Sequence, residues 1–96
     1  MTEIWEEYEG YQVSNYGRIL GKRLGRPLKT FYNKGMEIVR LYIGEDKKGT
    51  LRSVAHLVAE LFVPLPEAGC KLVEHIDGDH RNNRADNLRW HVKRKK

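Results

Sequence analysis

Polar and apolar residues alternate in two stretches of the first half of the chain, a pattern typical of half-buried β-strands. The segment YQVSNYGRIL, residues 11–20, alternates and is interrupted at Asn15 and Gly17. It predicts a strand, a tight turn and a second short strand. The segment MEIVRLYI, residues 36–43, predicts another strand. After the turn-forming GEDKKGT, residues 51–54 can pair back with it as a hairpin.

Two other stretches of this half lack clear alternation. The segment EIWEEYEG is acidic and carries Trp5 and Tyr8, which we expect to cover an edge of the core together with Tyr11. The segment GKRLGRPLKT, residues 21–30, is Gly-rich and basic and contains Pro27, which predicts a loop or an edge ribbon. The N-terminal half is therefore expected to be an antiparallel β ribbon or sheet.

The spacing of apolar residues changes to a helical one in SVAHLVAELFVPLP. Ser53 is a suitable N-cap because its hydroxyl can accept from a free N–H of the first turn. Pro64 is expected to end the helix, since proline cannot continue it. The predicted apolar stripe consists of Leu57, Val58, Leu61 and Phe62.

The last third of the chain predicts a β-hairpin with a long polar loop that lies against this helix. CKLVEHI, residues 70–76, reads as a short apolar strand, and Asp77 and Gly78 form a turn dipeptide. NLRW, residues 87–90, can form the returning strand.

Length and cysteine content limit the class of protein. A chain of 96 residues is one small domain without room for a second core. It shows no signal peptide and no apolar run long enough to span a bilayer. Cys70 is the single cysteine, which favours an intracellular, reducing environment because one thiol cannot form an internal disulfide.

Lysine and arginine number 18 against 13 acidic residues, for a net charge of +5. An excess of this size can serve solubility alone, but clustered cations also favour a polyanion such as nucleic acid. The basic residues are clustered, whereas the acids gather at Glu3, Glu6, Glu7 and Glu9 and in residues 74–90, and this asymmetry favours nucleic acid. The clusters are Lys22, Arg23, Arg26 and Lys29, then Lys47, Lys48 and Arg52, and finally Lys93, Arg94, Lys95 and Lys96.

The polar stretch EHIDGDHRNNRADNLRW, residues 74–90, carries the groups that a phosphodiesterase needs. His75 suits a general base, because the ordinary histidine pKa lies near working pH. Glu74 suits a Mg²⁺ ligand, because that ion prefers oxygen and often uses one or two carboxylates. Adjacent residues leave a strand on opposite faces, but near a bend both could flank one site. Asn83 and Asn87 can bridge the hairpin arms or orient the histidine.

This stretch resembles the HNH, or ββα-metal, nuclease motif in the version found in small phage-encoded and intron-encoded homing endonucleases. Upstream, YEGYQVSNYGRI resembles the modular DNA-binding motif that precedes such nuclease domains, and VAHLVAELFVPLP resembles the helix that joins the two. The resemblance covers nearly the whole chain. It implies that His75 is the general base and Glu74 the first metal ligand. It also implies that Asn83 and Asn87 tie the loop and position His75.

The sequence departs from the family pattern at its end. The resemblance implies a helix after Trp90 whose first turns supply a second metal ligand, Asn or His. Only HVKRKK follows Trp90, so the final helix is expected to be truncated. Lys96 stands where the second ligand is expected, and His91 is the candidate substitute.

Three functions follow from these observations. The leading one is a DNA endonuclease or nickase that uses Mg²⁺ or Mn²⁺. The family resemblance implies a phage or mobile-element origin and, with a phage origin, the cytoplasm of a bacterial host. The second is an HNH scaffold with impaired catalysis that acts as a DNA-binding or regulatory protein. The third is a phage protein that binds a protein partner through this scaffold.

The expected fold is a small single α+β domain: an N-terminal antiparallel β ribbon or sheet, a linking helix and a ββα-metal-like hairpin. Residues 1–52 are expected to form the DNA-binding motif, and residues 53–96 the linking helix and the nuclease motif. Double-stranded DNA is the expected partner. The residues expected to contact it are Arg18, Lys22, Arg23, Arg26, Lys29, Arg81, Arg84, Lys93, Arg94, Lys95 and Lys96.

Overall fold

The computed structural model describes residues 2–21, 25–45, 47–65 and 72–91. This part of the chain contains eight strands, one α-helix and one 3-10 turn. The elements are β1 (Trp5–Tyr8), β2 (Tyr11–Ser14), β3 (Ile19–Leu20), β4 (Phe31–Asn33), β5 (Met36–Leu41), β6 (Thr50–Ser53), α1 (Val54–Phe62), β7 (Val73–His75), the 3-10 turn (Ala85–Asn87) and β8 (Leu88–Trp90).

The first sheet is antiparallel with the order β1-β2-β3. The predicted strand, turn and second strand in residues 11–20 are confirmed as β2 and β3. β1 was not predicted, because its two charged residues, Glu6 and Glu7, are both exposed and hide the alternation. It forms because Glu9 and Gly10, both at positive φ, make the tight turn that pairs Tyr8 with Tyr11.

The second sheet has the order β4-β5-β6 and is also antiparallel. The predicted central strand is confirmed, but it ends at Leu41 rather than Ile43. The predicted hairpin partner is β6, one residue earlier than expected, because Val54 already belongs to the helix. β4 was not predicted. The turn at Lys34 and Gly35, both at positive φ, brings it back along β5.

The helix α1 begins and ends where the sequence predicts. Ser53 is its N-cap and accepts from the backbone N–H of His56 at 3.3 Å. Leu57 and Val58 of the predicted stripe are fully buried, and α1 packs against strands of all three sheets. The shared core consists of Tyr11, Val13, Ile19, Val39, Leu41, Val54, Ala55, Leu57, Val58 and Leu88.

The third sheet is the predicted hairpin, in which β7 and β8 pair antiparallel and His75 stands opposite Leu88. Trp90 is buried, and its indole N–H donates to the carbonyl of Val63 at the end of α1. The hairpin therefore packs on the helix, and the expected small α+β fold with antiparallel sheets and one helix is confirmed.

Some sequence-based expectations concern parts of the chain that the structure does not describe. Within the described ranges, α1 is the one α-helix, and it is too short to cross a membrane. The expectations for Lys22, Arg23, Cys70 and residues 93–96 lie outside these ranges.

Candidate functional site

The loop of the β7–β8 hairpin is organised around the Asp77 side chain. Its Oδ1 accepts from the backbone N–H of Asp79 at 2.8 Å and from Asn87 Nδ2 at 2.9 Å, and its Oδ2 accepts from Asn82 Nδ2 at 3.0 Å. These hydrogen bonds, that from Asn82 above all, hold the pKa of the Asp77 carboxyl below its ordinary value. The sequence predicted a turn here but no role for this carboxylate.

Asn87 joins the two arms of the hairpin. Its Oδ1 accepts from the backbone N–H of Asp77 at 3.1 Å, and its Nδ2 donates to the carbonyl of Asn82 at 2.9 Å as well as to Asp77. The side chain is 8% exposed. The side-chain hydrogen bonds of Asn87 thus go to atoms of the loop rather than to His75. Of the two candidate asparagines, Asn87 ties the loop together.

Asn83 is the asparagine that reaches the candidate base. Its Oδ1 lies 2.7 Å from His75 Nε2, and its Nδ2 donates to Glu37 Oε1 at 2.9 Å. The second oxygen of Glu37 accepts from the hydroxyl of Thr30 at 2.6 Å. A chain of hydrogen bonds therefore runs from Thr30, just before β4, across β5 to the β7–β8 hairpin.

The backbone of Asn83 is held by the first sheet. Gly17 has a φ of +88°, and a Cβ at this position would lie 3.0 Å from the carbonyl oxygen of Asn83. Next to this contact, the backbone N–H of Ala85 donates to the carbonyl of Asn15 at 2.8 Å. The β2–β3 turn thus packs directly on the hairpin loop, and Gly17 is required for this approach.

His75 lines a cleft of about 180 Å³ between the second sheet, the start of α1 and the hairpin. The His80 ring centroid lies 5.0 Å from that of His75. The cleft therefore presents three imidazoles, those of His56, His75 and His80, beside one carboxylate. The described residues that line it are Met36, Glu37, Ser53, Ala55, His56, Leu72, Val73, His75, His80 and Asn83.

Glu74 makes its contacts elsewhere, with residues at the end of the hairpin. Its Oε1 lies 2.6 Å from His91 Nδ1, and its Oε2 accepts from Arg89 Nε at 2.7 Å. The hydrogen bond from His91, followed by that from Arg89, keeps the pKa of the Glu74 carboxyl below its ordinary value. The structure thus brings together Glu74 and His91, the two residues that the sequence suggested as metal ligands.

The donor set around Glu74 suits a hard divalent cation only in part. Glu74 supplies carboxylate oxygens and His91 an imidazole nitrogen, which are both common metal ligands. Among the described residues, no group of three or more His, Cys, Asp or Glu side chains converges on a possible metal position. A metal held here would need water and substrate oxygens to complete its coordination.

Five of the residues expected to contact DNA are described. Arg18 pairs with Glu3 and lies over Trp5, whereas Arg26 and Lys29 are exposed. The hairpin loop supplies two further arginines that stack on aromatic rings of the N-terminal sheets. The guanidinium of Arg84 lies 4.1 Å from the ring centroid of Tyr16, and that of Arg81 lies 5.0 Å from that of Tyr32.

The sequence reasoning did not single out Glu37 or Thr30. One signal was available: Glu37 shares the inward face of β5 with Val39 and Leu41, where an acid is unexpected. Its contact with Asn83 spans 46 positions, so spacing alone could not identify the partner.

Known proteins resemble this chain in sequence. Residues 53–95 match the family model described as HNH endonuclease. The chain is 41% identical over 85 residues to the DNA endonuclease I-HmuI of Bacillus phage SP01. This match covers 86% of this chain and 47% of that protein. The chain is 34% identical over 93 residues to an uncharacterized HNH endonuclease of Acanthamoeba polyphaga mimivirus, covering 94% of this chain and 27% of the relative.

A solved structure shares the fold. It is titled "DNA binding and cleavage by the HNH homing endonuclease I-HmuI" and superposes with a TM-score of 0.81 at 36% identity. The match covers 93% of this chain and 52% of that one. The chain thus spans about half or less of the length of these relatives. Together, these matches confirm the resemblance inferred from the sequence and place residues 53–95 of this chain in the HNH endonuclease family.

Proposed function

We propose that this chain is an HNH-type, metal-dependent DNA endonuclease or nickase with His75 as its general base. The observation that carries the proposal is the 2.7 Å contact between His75 Nε2 and Asn83 Oδ1 at the edge of an open cleft. A carbonyl oxygen only accepts, so Nε2 carries the proton and Nδ1 keeps its lone pair. Nδ1 is then the ring nitrogen that can take a proton from water.

The proposed reaction is hydrolysis of a phosphodiester. His75 Nδ1 accepts a proton from a water molecule, the water oxygen attacks phosphorus, and the 3′ oxygen departs in line with it. Glu74 and His91 would hold Mg²⁺ or Mn²⁺, with water and phosphate oxygens as the remaining ligands. When bound, the ion would neutralise charge on the phosphate and on the leaving oxygen. One site of this kind in a monomer would cut one strand at a time.

The proposed substrate is double-stranded DNA. Arg81 and Arg84 support this choice, because their stacking on Tyr32 and Tyr16 orders two cations in the loop that also supplies two lining residues of the cleft. Residues 1–52 would supply most of the remaining DNA contacts and residues 53–96 the chemistry. The phage relative supports a protein that acts in the cytoplasm of a bacterial host.

Supercoiled plasmid in Mg²⁺ or Mn²⁺ tests the proposal. The wild-type chain is expected to convert it to the open-circular form, and His75→Ala to lose roughly 100-fold or more in rate, the usual contribution of a general base. Glu74→Gln tests the metal ligand and should lower the rate and raise the metal concentration required. Glu45→Gln, an exposed carboxylate on another loop, is the matched control.

A second function is favoured by one observation, namely that only two candidate metal ligands meet at Glu74 among the described residues. An HNH scaffold that binds a metal poorly would bind DNA without cutting it. A mobility shift of a duplex without nicking, at any Mg²⁺ or Mn²⁺ concentration, would support this function. If neither binding nor nicking occurs, both DNA functions are refuted and a protein partner becomes the better hypothesis.

A further inference from the structure

We propose that Glu37 is a positioning residue for the general base, because it sets the tautomer of His75 through the side-chain amide of Asn83. This inference rests on the proposed function, since it assigns a role to a residue of the second sheet in the chemistry of the hairpin. Glu37 lies outside the segment that matches the HNH family model, residues 53–95.

The location of Glu37 in β5 is the first argument. Residues 37, 39 and 41 lie on one face of the strand, and Val39 and Leu41 are almost fully buried in the core. A carboxylate at the edge of this apolar face loses solvation and needs hydrogen-bond donors in return. Both of its oxygens have one: Thr30 Oγ1 at 2.6 Å and Asn83 Nδ2 at 2.9 Å.

The second argument is the direction of the Asn83 amide. The two ends of an asparagine amide are similar in shape, so its orientation follows from its partners. A carboxylate accepts hydrogen bonds, so the nitrogen end of Asn83 must face Glu37. The oxygen end then faces His75, and Nε2 of the ring has to donate. The proton is thereby placed on Nε2, and the lone pair on Nδ1.

Without the Glu37 carboxylate, nothing in this chain of contacts selects the amide direction. The backbone of Asn83 stays in place, because Gly17 and the Asn15–Ala85 hydrogen bond hold the loop. The amide can still turn by half a rotation and present its nitrogen to Nε2. The ring then accepts at Nε2 and carries its proton on Nδ1, where it cannot remove a proton from water.

Two variants separate this role from a purely structural one. Glu37→Gln keeps hydrogen bonds to both neighbours but does not fix the amide direction, because the hydroxyl of Thr30 can donate or accept and Gln can present either end to Asn83. Glu37→Met has a similar length but no acceptor. A structural bridge between the sheet and the hairpin would be kept in Glu37→Gln and lost in Glu37→Met. A role in selecting the tautomer is lost in both variants.

The primary measurement is the tautomer itself, in the full-length chain with ¹⁵N-labelled histidine, from the ring-nitrogen chemical shifts of His75 at alkaline pH. Wild type is expected to show the proton on Nε2, and both Glu37→Gln and Glu37→Met a mixture of the two tautomers. If Glu37→Met does not fold, Glu37→Gln, which keeps the hydrogen bonds of the bridge, carries the comparison by itself.

Plasmid nicking is the second measurement. Both variants are expected to lower kcat in proportion to the fraction of His75 that carries its proton on Nδ1, because that fraction cannot act as a general base. A Glu37→Gln protein that keeps the proton on Nε2 as fully as wild type would overturn the inference. If wild-type protein does not nick DNA at all, the proposed function fails, but the tautomer comparison still tests the inference by itself.

Discussion

Replacement of Gly17 by alanine tests how the first sheet holds the candidate site. Gly17 has a φ of +88°, and an added Cβ would lie 3.0 Å from the carbonyl oxygen and 3.2 Å from the Cβ of Asn83. The carbonyl oxygen is a backbone atom and Cβ is bonded directly to the backbone, so the hairpin loop itself must shift. Gly35 has almost the same φ, +82°, but no described atom lies within 4 Å of its Cβ position. Gly35→Ala is therefore a matched control for backbone strain.

The two substitutions are expected to differ in their effect on stability, because only Gly17→Ala creates a close contact with Asn83. A non-glycine residue in the left-handed region costs about 1–2 kcal/mol of folding free energy, and both variants incur this loss. Forcing an extra methyl group into a filled space costs about 1–3 kcal/mol more. We therefore expect Gly17→Ala to lower the free energy of unfolding by about 2–5 kcal/mol, and Gly35→Ala by about 1–2 kcal/mol.

Urea unfolding of both variants, followed by tryptophan fluorescence, measures this difference. Because the Asn83 backbone moves, Gly17→Ala is also expected to lengthen the contact between Asn83 and His75 and to reduce plasmid nicking, whereas Gly35→Ala should leave nicking unchanged. Equal losses of stability in the two variants would refute the reasoning, because they would show that the β2–β3 turn does not constrain the hairpin loop.

Three further outcomes are expected. Ser53→Ala removes the N-cap of α1 and should cost about 1 kcal/mol in urea unfolding, whereas Ser53→Thr, which keeps the hydroxyl, should cost clearly less. The pKa of Asp77 is lowered chiefly by the hydrogen bond from Asn82. The contribution of the Asp77 carboxylate to loop stability is therefore complete above its ordinary pKa of 3.8, and it is lost as the pH falls through the lower pKa of the folded state. Protection of the Asp79 amide from hydrogen exchange should fall in that window, and Asp77→Asn should abolish the pH dependence. Arg84→Gln should weaken duplex binding similarly for all DNA sequences and reduce the slope of log affinity against log salt by about 1; an unchanged slope would exclude a phosphate contact.

Local patterns were sufficient for elements whose signals lie within a few residues. The Ser53 cap, the apolar stripe and Pro64 predicted the helix, because capping and amphipathic periodicity act within a few turns. The Asp77–Gly78 dipeptide and its flanking apolar segments predicted the β7–β8 hairpin in the same way. Residue types and spacing also led to the HNH resemblance, with His75 and Asn83 among its candidate residues, and the comparisons confirm the family of residues 53–95.

Contacts between distant parts of the chain could not be predicted from local sequence patterns. β1 and β4 form because tight turns at positive φ bring them onto neighbouring strands, although their own residues do not alternate clearly. Glu37 meets Asn83, and Gly17 meets the backbone of the same residue, only after the two N-terminal sheets pack around the hairpin. Such contacts depend on strand register and on how the sheets share the core around α1, and these are properties of the folded chain as a whole. The sequence therefore specified the chemical groups of the candidate site, while packing determined which atom of each group faces the next.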